Sequence, residues 1–163
     1  MTRLTTLELV LRMQSAVSPA DAEGIRWVLE ANFLPNQVIR KGAAELVGLL
    51  VDGLPGATAA GQMESWEILA QLSAGASGPT SAGFEVIQEV RAALAEVASA
   101  AVERLSSSNV EPYDFLAVDI LDSLLTSADD LKRQVFVNVL RRFAERGSRE
   151  RQRVDVILRD VES

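Results

Sequence analysis

The chain has 163 residues. That suits a single domain over residues 1–163, with a core that needs no staple, since chains of this size bury roughly two-thirds of the surface they expose when unfolded. It has no cysteine and no histidine, which excludes disulfide frameworks, thiol nucleophiles, imidazole bases and the usual zinc, copper and haem ligands. Apolar residues make up 48%, only 5% are aromatic and the net charge is −7, a balance that suits closely packed helices and opposes non-specific attraction to nucleic acid or anionic membrane.

In chain order, the spacing of Leu7, Val10, Leu11 and Gln14 predicts a short amphipathic helix over about Thr5 to Ser15, with Gln14 a polar intrusion. Ser18-Pro19-Ala20-Asp21 supplies a cap, a proline at the first helical position and a carboxylate three residues after the cap. The second helix is expected to run to about Ala31, with Ala22, Ile25, Val28 and Leu29 inward and Trp27 buried beside them. Pro35 is expected to open a third helix with the stripe Ile39, Gly42, Ala43, Leu46, Leu49 and Leu50, its small residues letting a neighbour approach. Gly53-Leu54-Pro55-Gly56 breaks it, and Thr58 caps a fourth helix to about Ser73, with Met63, Trp66, Ile68, Leu69 and Leu72 apolar.

The stretch Gly75 to Gly83 is rich in helix breakers and reads as a flexible connector. The fifth helix, about Phe84 to Leu105, has the cleanest stripe, at Ile87, Val90, Leu94, Val97, Ala101 and Leu105, and should cross the centre of the molecule. Pro112 starts a sixth helix with Tyr113, Leu116, Ala117, Ile120 and Leu124 on one face. Ser127 to Asp130 caps a seventh that runs to Arg146, where Arg141, Arg142 and Arg146 complement the helix dipole. Gly147 stops it, and Ser148 caps a last helix in which Val154, Ile157, Leu158 and Val161 share a face. No segment alternates with period two, so the expected fold is all-α, about eight helices in stacked antiparallel hairpins.

Glu67-Ile-Leu-Ala-Gln-Leu72 recurs as Asp119-Ile-Leu-Asp-Ser-Leu124, and each copy follows a leucine-rich helix end, Ala44 to Leu50 and Ala100 to Leu105. With this helix-turn-helix unit the chain resembles HEAT-like α-solenoid proteins of bacterial type over roughly Pro35 to Leu125. The Val-Arg pair that often opens a second helix in that family is absent from both copies. The resemblance implies a right-handed α-α superhelix and binding of a partner, with roles such as immunity proteins against toxins or assembly adaptors.

Two surfaces are candidates for a site. Glu111, Asp114, Asp119 and Asp122 share one side of the sixth helix with Phe115, an acidic face for a basic protein, and Trp66 between Glu64 and Glu67 is a candidate anchor. The competing reading makes these a solvated helix face with Trp66 in the core. The second surface is basic: nine of the 16 Lys and Arg residues follow Asp130, and Arg141, Arg142, Arg146, Arg149, Arg151 and Arg153 could meet phosphate. Interleaved Glu145 and Glu150 and the acidic body weigh against nucleic acid.

The sequence therefore points to a cytoplasmic, non-enzymatic protein-binding module, an inhibitor or immunity protein for a basic partner. No cofactor, metal or membrane is expected. The alternative is a HEAT-like nucleic-acid-binding protein or DNA-acting enzyme using the C-terminal arginines, and a third reading is self-association through apolar residues on the terminal helices.

Overall fold

The computed structural model describes residues 4–77 and 83–162. Among these, every regular element is helical: α1 (Thr6–Gln14), α2 (Pro19–Phe33), α3 (Ala43–Gly53), α4 (Ala59–Ser77), α5 (Phe84–Ser106), α6 (Asp114–Leu125), α7 (Asp130–Ala144) and α8 (Ser148–Glu162), with 3-10 turns at Pro35–Gln37 and Leu54–Gly56. None of the eight helices is long and apolar enough to cross a membrane.

The helices start where side chains can satisfy their first amides. The Thr5 hydroxyl accepts the Glu8 N–H at 3.2 Å while the Glu8 carboxylate accepts the Thr5 N–H at 2.7 Å, a reciprocal capping box. Ser18 caps α2 with Pro19 at its first position, and Thr58 accepts the Gly61 N–H at 3.0 Å at the head of α4. For α7 the cap is Asp129, whose carboxylate accepts the Lys132 N–H at 2.9 Å, rather than Ser127.

Helices two apart in sequence pack together: α1, α3, α5 and α7 form one layer, and α2, α4, α6 and α8 the other. Four helical hairpins are thereby stacked side by side, with α5 in contact with α3, α4, α6 and α7. The α5 stripe from Ile87 to Leu105 is buried throughout, as its spacing requires. The echoed segments lie on α4 and α6, which pack against each other, and the matched pairs Ile68 with Ile120 and Leu69 with Leu121 are fully enclosed. Trp66 and its counterpart Val118 are buried too.

Several local expectations are corrected. The third helix does not begin at Pro35, because Asn36 and Gln37 take left-handed backbone angles and Gly42 turns the chain again at φ +90°. Ile39 is buried from the irregular segment between them. Gly42 is therefore a turn residue, which a Cβ would crowd against Phe33 at 3.1 Å. Helix α4 continues through Gly75 and Ala76 to Ser77, with Ala76 in the core. Of the connector expected over Gly75 to Gly83, residues 78–82 lie outside the described residues.

At the N-terminal hairpin, Leu7, Leu11 and Val28 are exposed and Trp27 is 59% exposed, its ring under the Arg26 guanidinium at 5.0 Å. The expectation that Val28 faces inward and Trp27 is buried fails, because among the described residues α1 and α2 pack on neighbouring helices from one side only. Gln14, the apparent intrusion in the α1 stripe, is instead buried and structural. Its side-chain amide donates to the Leu50 carbonyl at 2.9 Å and the Ser65 hydroxyl at 3.3 Å, joining α1, α3 and α4.

Candidate functional site

The two surfaces singled out in the sequence turn towards each other within the fold. Asp114, placed on the acidic face by its helical position, is 1% exposed. Its carboxylate lies 2.9 Å from Nε of Arg104 and 3.1 Å from Nη1 of Arg146, and it accepts the Glu111 N–H at 3.2 Å. Arg146, expected at the end of the seventh helix, stands in the turn after α7, which ends at Ala144; it donates to the carbonyls of Leu105, at 2.7 Å, and Ser107, at 2.5 Å, and so caps the C-terminal end of α5. Arg146 is thus a joint between α5, α6 and α7, and its assignment to the dipole of its own helix is corrected.

The same pattern extends along α6. Arg153 of α8 pairs with Asp119 at 2.5 Å. Phe115 packs edge-on against Phe143 at 5.6 Å, and the Arg149 guanidinium sits 4.6 Å from the Phe115 ring centroid. Glu111, Phe115, Asp119 and Asp122 are half-buried, Arg141 and Arg142 are exposed, and Trp66 is 3% exposed. The residues expected to form one open acidic face and one open arginine patch are therefore largely engaged with each other. The reason is topological: α6 is contacted by α4, α5, α7 and α8, so the polar side of its wheel is covered by the next hairpin.

Burial raises the Asp122 carboxyl above the ordinary 3.8; Arg153 partly offsets this, and Asp119 and Asp160 add to it. A carboxyl that protonates more readily folded than unfolded costs stability once the pH rises through 3.8 towards its folded value. Asp122→Asn is therefore expected to raise the melting temperature slightly at neutral pH, with the gain shrinking as the pH falls towards 3.8. A neutral-pH loss in thermal unfolding would contradict this.

The open acidic surface lies on α5, whose sequence stands out for its buried stripe. Glu85, Glu89, Glu96 and Glu103 fall within a narrow sector of the helix opposite Val90, Leu94, Val97 and Ala101, and all four are exposed. From Glu85 to Glu103 this stripe extends about 27 Å. None of the four is ion-paired among the described residues. The signal in the sequence is the spacing of the glutamates, which repeat on the face that the apolar stripe leaves free.

A concavity flanks the stripe on each side. One, of about 500 Å³, runs between α5 and α7 and is lined by Leu94, Ala98, Val102, Leu131, Val135 and Phe136, of which Leu131 and Val135 are exposed. The other, of about 690 Å³, opens where the α3–α4 and α5–α6 turns meet. Trp66 and Tyr113, stacked at 6.0 Å, contribute to its lining, and the Tyr113 hydroxyl donates to the Gln62 side-chain carbonyl. Ser99 and Glu103 border both concavities. Among the described residues, no three carboxylates converge closely enough to hold a metal ion. No protein family, no curated protein and no solved structure matches this chain.

Proposed function

We propose that the chain is a non-enzymatic protein-binding module, an inhibitor or immunity factor for a basic partner, built from HEAT-like helical repeats. The observation that carries this reading is the α5 stripe of Glu85, Glu89, Glu96 and Glu103, exposed and without ion pairs among the described residues. On the α6 face, by contrast, Asp114 and Asp119 are matched by arginines within the fold. An unmatched row of one sign attracts the opposite sign and speeds its association. The groove beside it, with Leu131 and Val135 exposed, adds the apolar ground that a protein interface uses under a charged rim. The repeat assignment is supported by the two layers of alternate helices and by the side-by-side packing of the echoed α4 and α6 segments.

The rival use of the arginines on phosphate is less favoured, because Arg146 and Arg153 are already bound to carboxylates and Arg149 lies over Phe115. Binding of poly-L-arginine and of duplex DNA, followed by biolayer interferometry from low to high salt, separates the readings. Poly-L-arginine is expected to bind with affinity that falls as salt rises, and Glu85→Lys with Glu96→Lys to slow association by about tenfold while the helical circular dichroism stays unchanged. DNA is expected not to bind at physiological salt. Salt-independent binding, or full binding by the reversed variant, overturns the proposal, and steeply salt-dependent DNA binding puts the arginine reading ahead.

A further inference from the structure

The larger cleft has features that the glutamate stripe alone lacks. Its carboxylates come from two elements, Asp52 at the end of α3 and Glu96 with Glu103 on α5. All three are exposed, and none is ion-paired among the described residues. The cleft also holds one cation, Arg104, but that guanidinium is turned to Asp114, to the Asn109 carbonyl and to the Tyr113 ring. Asp114, which also pairs with Arg146, offsets that charge in part, and the three exposed acids outnumber the one cation at the opening.

Between these charges the wall is apolar. Leu54, Pro55 and Ala100 line it, with Trp66 and Tyr113 below. A small inorganic cation suits it poorly, because the acids do not converge on one point. A cation on a long hydrocarbon stem fits both parts at once: the stem against the apolar wall and the charge among the carboxylates. The volume of about 690 Å³ lies within the roughly 300–1,000 Å³ typical of binding clefts.

We propose that this cleft receives an arginine or lysine side chain of the basic partner, held by Asp52, Glu96 and Glu103 around an apolar wall. The inference rests on the protein-binding reading above and gives it an anchor point. A buried arginine at the centre of an interface is a common source of binding energy, whereas a rim charge mainly affects the association rate.

The test uses the full chain and the tripeptide N-acetyl-Gly-Arg-Gly-amide, with the citrulline tripeptide as its neutral counterpart. The two tryptophans are reporters in a nitrogen–proton correlation spectrum, since Trp66 lines the cleft and Trp27 does not. The arginine peptide is expected to move the Trp66 indole resonance saturably while Trp27 stays fixed, and the citrulline peptide to move neither. Asp52→Asn with Glu103→Gln should weaken this binding by about tenfold. Glu145→Gln with Asp155→Asn removes the same charge at exposed positions that line neither concavity and lie off α5, and should change it less than about twofold.

No saturable movement of Trp66, an equal response to citrulline, or equal loss in both double variants would overturn the cleft. In each of those cases salt-sensitive binding of poly-L-arginine would still stand or fall by itself, so failure of the anchor is distinguishable from failure of the acidic surface.

Discussion

Asp114→Ala is expected to destabilise the fold by about 3–5 kcal/mol, the cost of removing one partner from a buried charge cluster. The size follows from what would be left behind. Arg104 and Arg146 would face each other across the vacated carboxylate, with side chains only 15% and 20% exposed and so poorly placed to recover solvation from water. The amide of Glu111 would lose its acceptor as well. Urea denaturation should show the midpoint falling sharply with little change in slope, and a loss under about 1 kcal/mol would mean that the cluster is solvated and contributes little. Arg146→Ala should be costly for a second reason, since the carbonyls of Leu105 and Ser107 lose their cap together with the ion pair. The mild effect that a purely dipole-complementing Arg146 would imply is therefore not expected, and a double reversal at Arg142 and Arg146 should unfold the α5–α6–α7 junction.

The same substitution at two glycines is expected to have opposite signs. A Cβ on Gly61 would stand 2.5 Å from the Cα of Gln14 and 2.6 Å from its carbonyl oxygen, so the α1 and α4 backbones would have to separate. Gly61→Ala should cost about 1–3 kcal/mol through overpacking, even after the helix-propensity gain of roughly 1 kcal/mol. Gly24 sits in the middle of α2, where an added methyl group would meet nothing within 4 Å, so Gly24→Ala should stabilise by about 0.5–1 kcal/mol. Thermal unfolding of the two variants side by side tests the pair. A stabilising Gly61→Ala would show that the close approach of α1 to α4 is not required, and a destabilising Gly24→Ala that the outer face of α2 is covered.

The helices themselves were legible because their determinants are local. Ser18-Pro19 and Thr58 act at the helix heads where they stand in the chain, and the α5 stripe from Ile87 to Leu105 repeats at the spacing that places one face inward. The hairpin arrangement followed from the short turns, and the pairs Ile68 with Ile120 and Leu69 with Leu121 of the echoed segments are enclosed where α4 and α6 pack. The irregular path through Asn36 and Gln37 was less legible, since left-handed angles at those residues need the surrounding structure to hold them.

A helical wheel gives the direction of a side chain but not what stands opposite it. For α5 the wheel sufficed, because the apolar side packs on α3, α4, α6 and α7 and the glutamate sector remains open. For α6 it misled, because the following hairpin lies across its polar side and turns Asp114 and Asp119 into internal partners of Arg146 and Arg153. At α1 and α2 the error ran the other way: Leu11 and Trp27 have apolar spacing, yet no described helix covers them. Local spacing thus determined which residues form helices and which way each points, while the stacking of hairpins, through contacts 30 or more residues apart such as Arg146 with Asp114 and Arg153 with Asp119, decided which charges are spent within the fold and which remain at the surface.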